Sequence, residues 1–102
     1  MPDLRMPTPT EIRDLNQHVG EDVTVTGWVE TTRGHGKVAF AVVRDGTGIV
    51  QGVFLKKELD PAVWDVHATL TQEATVALSG VVREEPRAPG GYELGVTGVE
   101  VI

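Results

Sequence analysis

From Asp22 to Val29 the chain alternates. Val23, Val25, Gly27 and Val29 share one side of an extended segment, and Thr24, Thr26 and Trp28 share the other. This two-residue period predicts a strand with one face toward a core. Thr31–Gly36 holds two glycines and reads as a loop. Lys37–Arg44 predicts a second strand, apolar on both faces: Val38, Phe40 and Val42 on one, Ala39, Ala41 and Val43 on the other. Asp45-Gly46-Thr47-Gly48 is a turn, since glycine accepts positive φ without steric cost. Ile49–Leu55 predicts the third strand. The period breaks over Lys56–Leu70, where Asp60-Pro61 opens a helix and Ala62, Val63, Val66 and Leu70 fall near helical spacing. Alternation returns in Thr75–Glu84, with Val76, Leu78, Gly80 and Val82 on one face. Pro86–Gly91 is too rich in proline and glycine to pair, and Tyr92–Ile102 predicts the fifth strand. Ahead of the strands, Ile12, Leu15 and Val19 recur at helical spacing, with Thr8 or Thr10 as cap and Gly20 as stop. Residues 1–9 carry three prolines and read as a flexible lead-in to one domain over 10–102.

The order is thus a short N-terminal helix, three strands, a helix and two strands. A helix between the third and fourth of five strands is the layout of the OB-fold, a Greek-key barrel that binds oligonucleotides on strands two and three. The fold class expected is all-β. Closure would remove the exposed edges that an open sheet carries.

Composition narrows the functions. The chain has 102 residues and no cysteine, so disulfides and thiolate metal sites are excluded. No apolar run approaches the ~20 residues that span a bilayer. Met1–Pro7 lacks the apolar segment of a signal peptide, and the expected location is cytoplasmic, with no membrane partner. His18, His35 and His67 have no ligand-like spacing, and no Ser/His/Asp arrangement stands out. Asp45–Gly48 lacks the lysine and following helix of a phosphate loop. No catalytic, metal or cofactor site is expected in this chain.

The net charge of −6 argues against indiscriminate binding to nucleic acid. The sum conceals a segregation. Residues 21–57 hold five cations against four acids, and the rest of the chain holds four against eleven. The cations therefore gather where an aromatic and an amide also lie.

Phe40 sits mid-strand among valines, where a phenylalanine is ordinarily core. A barrel strand needs only one inward face, so the ring also fits an outward platform on which a base can stack. Gln51 shares a face with Ile49 and Val53 and is either a solvated glutamine or a reader of a base edge. Arg33, where the first strand is read to leave the sheet, suits a phosphate or a base edge through two parallel bonds, or simply solvent. Lys37 and His35 share its loop, within reach of a nucleic-acid backbone. Arg44-Asp45 fits a hairpin lock by charge and an Asx-type turn. Trp28 reads as packing. Glu93, opening the fifth strand, can accept from a guanine edge or serve as a surface acid.

Gly27-Trp28-Val29, Arg33, Phe40, Arg44-Asp45-Gly46 and Gly48-Ile49-Val50-Gln51 stand in this order within residues 12–102. The set resembles the N-terminal anticodon-binding domain of the class II aminoacyl-tRNA synthetases for asparagine, aspartate and lysine. Gly36-Lys37, Asp45-Gly46-Thr47-Gly48 and Ala88-Pro89-Gly90-Gly91-Tyr92-Glu93-Leu94 resemble the bacterial asparaginyl branch most closely. The resemblance implies that Phe40 stacks on the middle anticodon base, a uridine. It implies that Gln51 and Arg33 bond that uridine, and that Glu93 reads the first base, a guanine or its modified form. It implies tRNA as partner and a homodimeric parent enzyme whose catalytic domain holds ATP and magnesium. The aspartyl branch, and a generic single-strand-binding or protein-docking barrel, are the competing readings. Glu30, Thr31 and Thr32 stand where the family often has arginines, so weak binding by this domain alone is expected.

Overall fold

The computed structural model describes residues 9–102. The expected lead-in lies outside the described residues except for Pro9, and so does Thr8. Strands β1 (Asp22–His35), β2 (Val38–Arg44), β3 (Ile49–Leu55), β4 (Thr75–Glu84) and β5 (Tyr92–Val101) close into a barrel in the order β1-β2-β3-β5-β4. Neighbours are antiparallel except β3 and β5, which run parallel over Gln51↔Glu93 to Val53↔Gly95. The expected five-stranded OB-fold is the observed one.

The alternation fixes which face closes inward. Val25, Val29, Val43, Val50, Val76, Leu78, Val82 and Leu94 are wholly buried and fill the barrel with Phe54. Burying side chains of this size stabilises by about 1.5–3 kcal/mol each. The other face of β2, with Val38, Phe40 and Val42, stays half-exposed, so the strand's two apolar faces have different jobs. Helix α1 (Pro61–His67) starts where Asp60 Oδ1 accepts the Ala62 N–H at 2.9 Å, and Pro61 needs no donor there. Its Trp64 is buried over the barrel end.

Two expectations change at the edges. The N-terminal helix is one 3₁₀ segment, Ile12–Gln17, without a threonine cap. Three residues per turn align Ile12 and Leu15, and both are buried. Thr10 instead donates its N–H to the Thr24 carbonyl at 2.7 Å, and Val19 lies beyond the helix, bridged to Val82.

The second change matters more. Thr31–His35 is no loop, because β1 runs on through His35 and pairs with β2 to its end. A bulge at Glu30 separates Val29↔Val43 from Thr31↔Val42. One extra residue turns every later side chain to the opposite face. Without it Arg33 would be in phase with Val29; with it, Arg33 stands directly across from Phe40. Gly27, just before the bulge, leaves room for β2, since a Cβ there would lie 2.2 Å from the Arg44 carbonyl oxygen.

Asp45 ties the β2–β3 turn to the N-terminal segment. Its Oδ1 accepts from the Thr47 N–H at 2.8 Å and the Thr47 hydroxyl at 2.6 Å, and its Oδ2 accepts from the Ile12 N–H at 2.9 Å. Arg44 does not join it. That guanidinium turns to Glu73, 2.9 Å from both carboxylate oxygens, so the expected charge lock within the hairpin is absent. Partial burial disfavours the Asp45 anion, but the bonds from Thr47 and Ile12 outweigh it and hold the carboxyl below its ordinary value of 3.8. Its contribution to stability is therefore present above that value and lost as pH falls through the lower folded-state value. Asp45→Ala is expected to cost about 0.5–2 kcal/mol at pH 7, the range for losing a capping acceptor. Urea melts at pH 7 and near pH 3 check this: the gap between wild type and variant narrows at the acid end.

Candidate nucleic-acid interface

The outer wall of β1, β2, β3 and β5 is built in cross-strand rows. One row reads Thr31, Val42, Gln51, Glu93, and the next reads Arg33, Phe40, Val53, Gly95. Phe40 faces outward, since its neighbours Ala39 and Ala41 are the buried ones. The Arg33 guanidinium covers its ring at 4.3 Å from the centroid. The same guanidinium donates through Nη2 to Gln51 Oε1 at 3.3 Å. A cation over a ring contributes about 0.5–1 kcal/mol at an exposed site, so this cover is held but not locked.

Gln51 is on the same outer wall, yet only 7% exposed. Arg33 bonds it on one side, and the β4–β5 connection lines the same hollow. Together they border a cavity of about 470 Å³ lined by Arg33, Val42, Gln51, Glu85, Arg87, Ala88, Pro89 and Glu93. That connection runs through Glu85 to Pro89 and leads into a 3₁₀ turn, Pro89–Gly91. No fully buried side-chain nitrogen or oxygen among the described residues lacks a partner. Glu93 is partly buried at the cavity wall, and its Oε1 lies 3.0 Å from Arg83 Nη2.

Four of the six expected site residues, Arg33, Phe40, Gln51 and Glu93, thus meet on adjoining rows. His35 and Lys37 do not. They stand exposed at the tip of the β1–β2 hairpin and line no part of this cavity. Trp28 departs from its expected packing role: it is 42% exposed on the outer face, 6.0 Å from the Arg44 guanidinium. Sequence reading missed the β4–β5 connection and Arg83. Part of the connection lay in view within the Ala88–Leu94 segment, whereas Arg83 becomes relevant only because β4 sets it opposite Glu93. Among the described residues no group of three or more His, Asp or Glu side chains is placed to hold a metal ion, and no helix is long and apolar enough to cross a membrane.

This wall offers an amide, a carboxylate and guanidinium groups around one concavity, with an aromatic face beside it under Arg33. That set can stack an unpaired base and hydrogen-bond its edges. Residues 23–102 match the tRNA anticodon family of OB-fold nucleic-acid-binding domains. The chain belongs to that family.

Its relatives give the branch. It is 54% identical to the asparagine–tRNA ligase of Desulforamulus reducens over 93 residues, which are 91% of this chain and 21% of that protein. It is 47% identical to the enzyme of Koribacter versatilis over 91 residues, 89% of this chain and 21% of that one. The crystal structure of asparaginyl-tRNA synthetase from Pyrococcus horikoshii in complex with asparaginyl-adenylate superposes with a TM-score of 0.86 at 35% identity, covering 95% of this chain and 23% of that one. The chain is an anticodon-binding domain of the asparaginyl-tRNA synthetase type, and it spans about a fifth of the length of the curated relatives it matches.

Proposed function

We propose that the Phe40 wall holds the anticodon loop of an asparagine-accepting tRNA and so gives specificity to a synthetase that charges this tRNA. The carrying observation is that Arg33, Gln51 and Glu93 line one cavity and that the Arg33 guanidinium also covers the outward Phe40 ring on the adjoining row, on the wall this fold uses for single-stranded nucleic acid. The middle base, a uridine, stacks on Phe40. Gln51 and Arg33 bond its edge, and Glu93 accepts from the first base, a guanine. Arg33 covers the ring in the free chain, so an arriving base takes its place. The guanidinium then moves from ring and amide to the base edge or a phosphate, where the bond is charge-assisted. His35 and Lys37, at the hairpin tip, contribute at most charge to the backbone. ATP, magnesium and asparagine are handled by a catalytic domain outside this chain, in a homodimeric cytoplasmic enzyme.

The test is a titration of this domain with an anticodon stem-loop and with three versions altered only at the central base. Uridine is expected to bind at least several-fold more tightly than the others at low salt. All four should weaken together as salt rises, because phosphate contacts release counterions whatever the base. Equal affinity for all four central bases removes the reading role.

A further inference from the structure

We infer that Arg83 and Gly95 are specificity-determining positioning residues: they set the Glu93 carboxylate for its base, so that discrimination at the first anticodon position depends on two residues that need not touch the RNA. The inference rests on the proposed reading of a guanine by Glu93.

Arg83 and Glu93 are direct cross-strand partners on β4 and β5, and Arg83 Nη2 lies 3.0 Å from Glu93 Oε1. An arginine opposite a glutamate is a common surface pair of little worth by itself. Two features make this one different. Glu93's side chain is only 17% exposed, against 47% for Arg83, so the contact is made at the cavity wall. And the arginine has a seat. A Cβ built on Gly95 would lie 3.3 Å from both Cζ and Nη2 of Arg83 and 3.6 Å from its Nε. The guanidinium therefore rests over a β5 position that has no side chain. From there it reaches Glu93 two residues away. A Cβ at 95 would press on that seat at 3.3 Å, and the γ-carbons of a branched side chain would crowd it further.

The consequence concerns geometry more than affinity. Guanine presents two adjacent donors on its pairing edge, a ring N–H and an exocyclic amine. A carboxylate meets both only if its plane is fixed. Arg83 engages Oε1 from the neighbouring strand β4, and a carboxylate keeps further acceptor sites on its two oxygens for a base. A freely turning Glu93 would still attract a donor, but would lose its demand for two at once. Inosine lacks only the exocyclic amine and carries the same charge as guanosine. The guanosine-to-inosine affinity ratio thus isolates this effect from any change in overall electrostatics.

The experiment measures that ratio at the first anticodon position, with stem-loops otherwise identical, for wild type, Arg83→Met, Arg83→Lys, Gly95→Val and Glu93→Gln. Gly95→Val retains every charge and sits on an outward strand position that tolerates a branched residue. Thermal melts confirm that each variant is folded. Arg83→Met and Gly95→Val are both expected to reduce the ratio at least threefold, with Arg83→Lys between them and wild type. If both keep the wild-type ratio while Glu93→Gln loses it, Arg83 and Gly95 have no positioning role and the Glu93 reading stands. If Glu93→Gln also keeps the ratio, the guanine-reading role of Glu93 itself fails, and the inference with it.

Discussion

Phe54→Ala is expected to lower the stability of the domain by about 3–5 kcal/mol, the range for removing a buried phenylalanine side chain. Phe54 is the largest of the wholly buried side chains and lies near the end of β3, in the core. It also meets the closing helix: its ring lies 6.1 Å from His67, and His67 in turn lies 4.0 Å from the Trp64 ring. The helix that plugs the barrel end therefore stands on Phe54. Its neighbours on β2, Ala39 and Ala41, are small and cannot reach in to fill a void. A domain of this size has only ~5–15 kcal/mol of total stability, so the loss is a large share. Urea unfolding monitored by circular dichroism measures it, and a loss below about 1 kcal/mol would mean that the barrel repacks around the vacancy. Because Phe54 and Phe40 are on opposite faces, the two substitutions separate folding from binding.

The same contrast shows what the sequence could and could not disclose. Alternation along β1 and β4 named the inward residues, because one buried face per strand imposes a strict period of two. The helix over Pro61–His67 was legible for a local reason: Asp60 and Pro61 carry their own start signal. Arg33 was not placed, because its orientation depends on one unpaired residue, Glu30, and a bulge has no fixed signature in composition. Two glycines nearby made the segment resemble a loop when it is a paired extension. Gln51 was read as facing outward, and it does, but it is nearly buried and shares its cavity with Glu85–Pro89, more than thirty residues away. Arg83 has the same character. Nothing beside it in sequence sets it apart, and its role begins with the register that brings Glu93 across from it. Local chemistry thus announced three of the residues around the cavity and the ring beside it, and tertiary register decided what surrounds and steadies them. Trp28 marks the limit in the other direction: a large apolar residue was expected to pack, and the wall leaves it half in water.

Phe40→Ala is expected to weaken binding of an anticodon stem-loop by about 1–2 kcal/mol, roughly five- to thirtyfold. Stacking a base on an aromatic side chain is worth ~1–3 kcal/mol by alanine substitution. The upper end is out of reach here, because the ring is not idle in the free domain. It carries the Arg33 guanidinium at 4.3 Å, a contact of about 0.5–1 kcal/mol that binding must break. Alanine removes the stack and that competing contact together, so the net loss falls in the lower half of the range. The reasoning also fixes a control. Phe40→Trp retains a π-face and holds the cation more strongly, so it should bind within a few-fold of wild type, whereas Phe40→Leu keeps apolar bulk without the face and should resemble alanine. Folding is spared in all three, since Phe40 stands outside the barrel interior and is only partly buried. Fluorescence anisotropy with a labelled stem-loop at low salt gives the constants. An alanine variant that binds as tightly as wild type would show that the ring supports Arg33 alone and that no base rests on it.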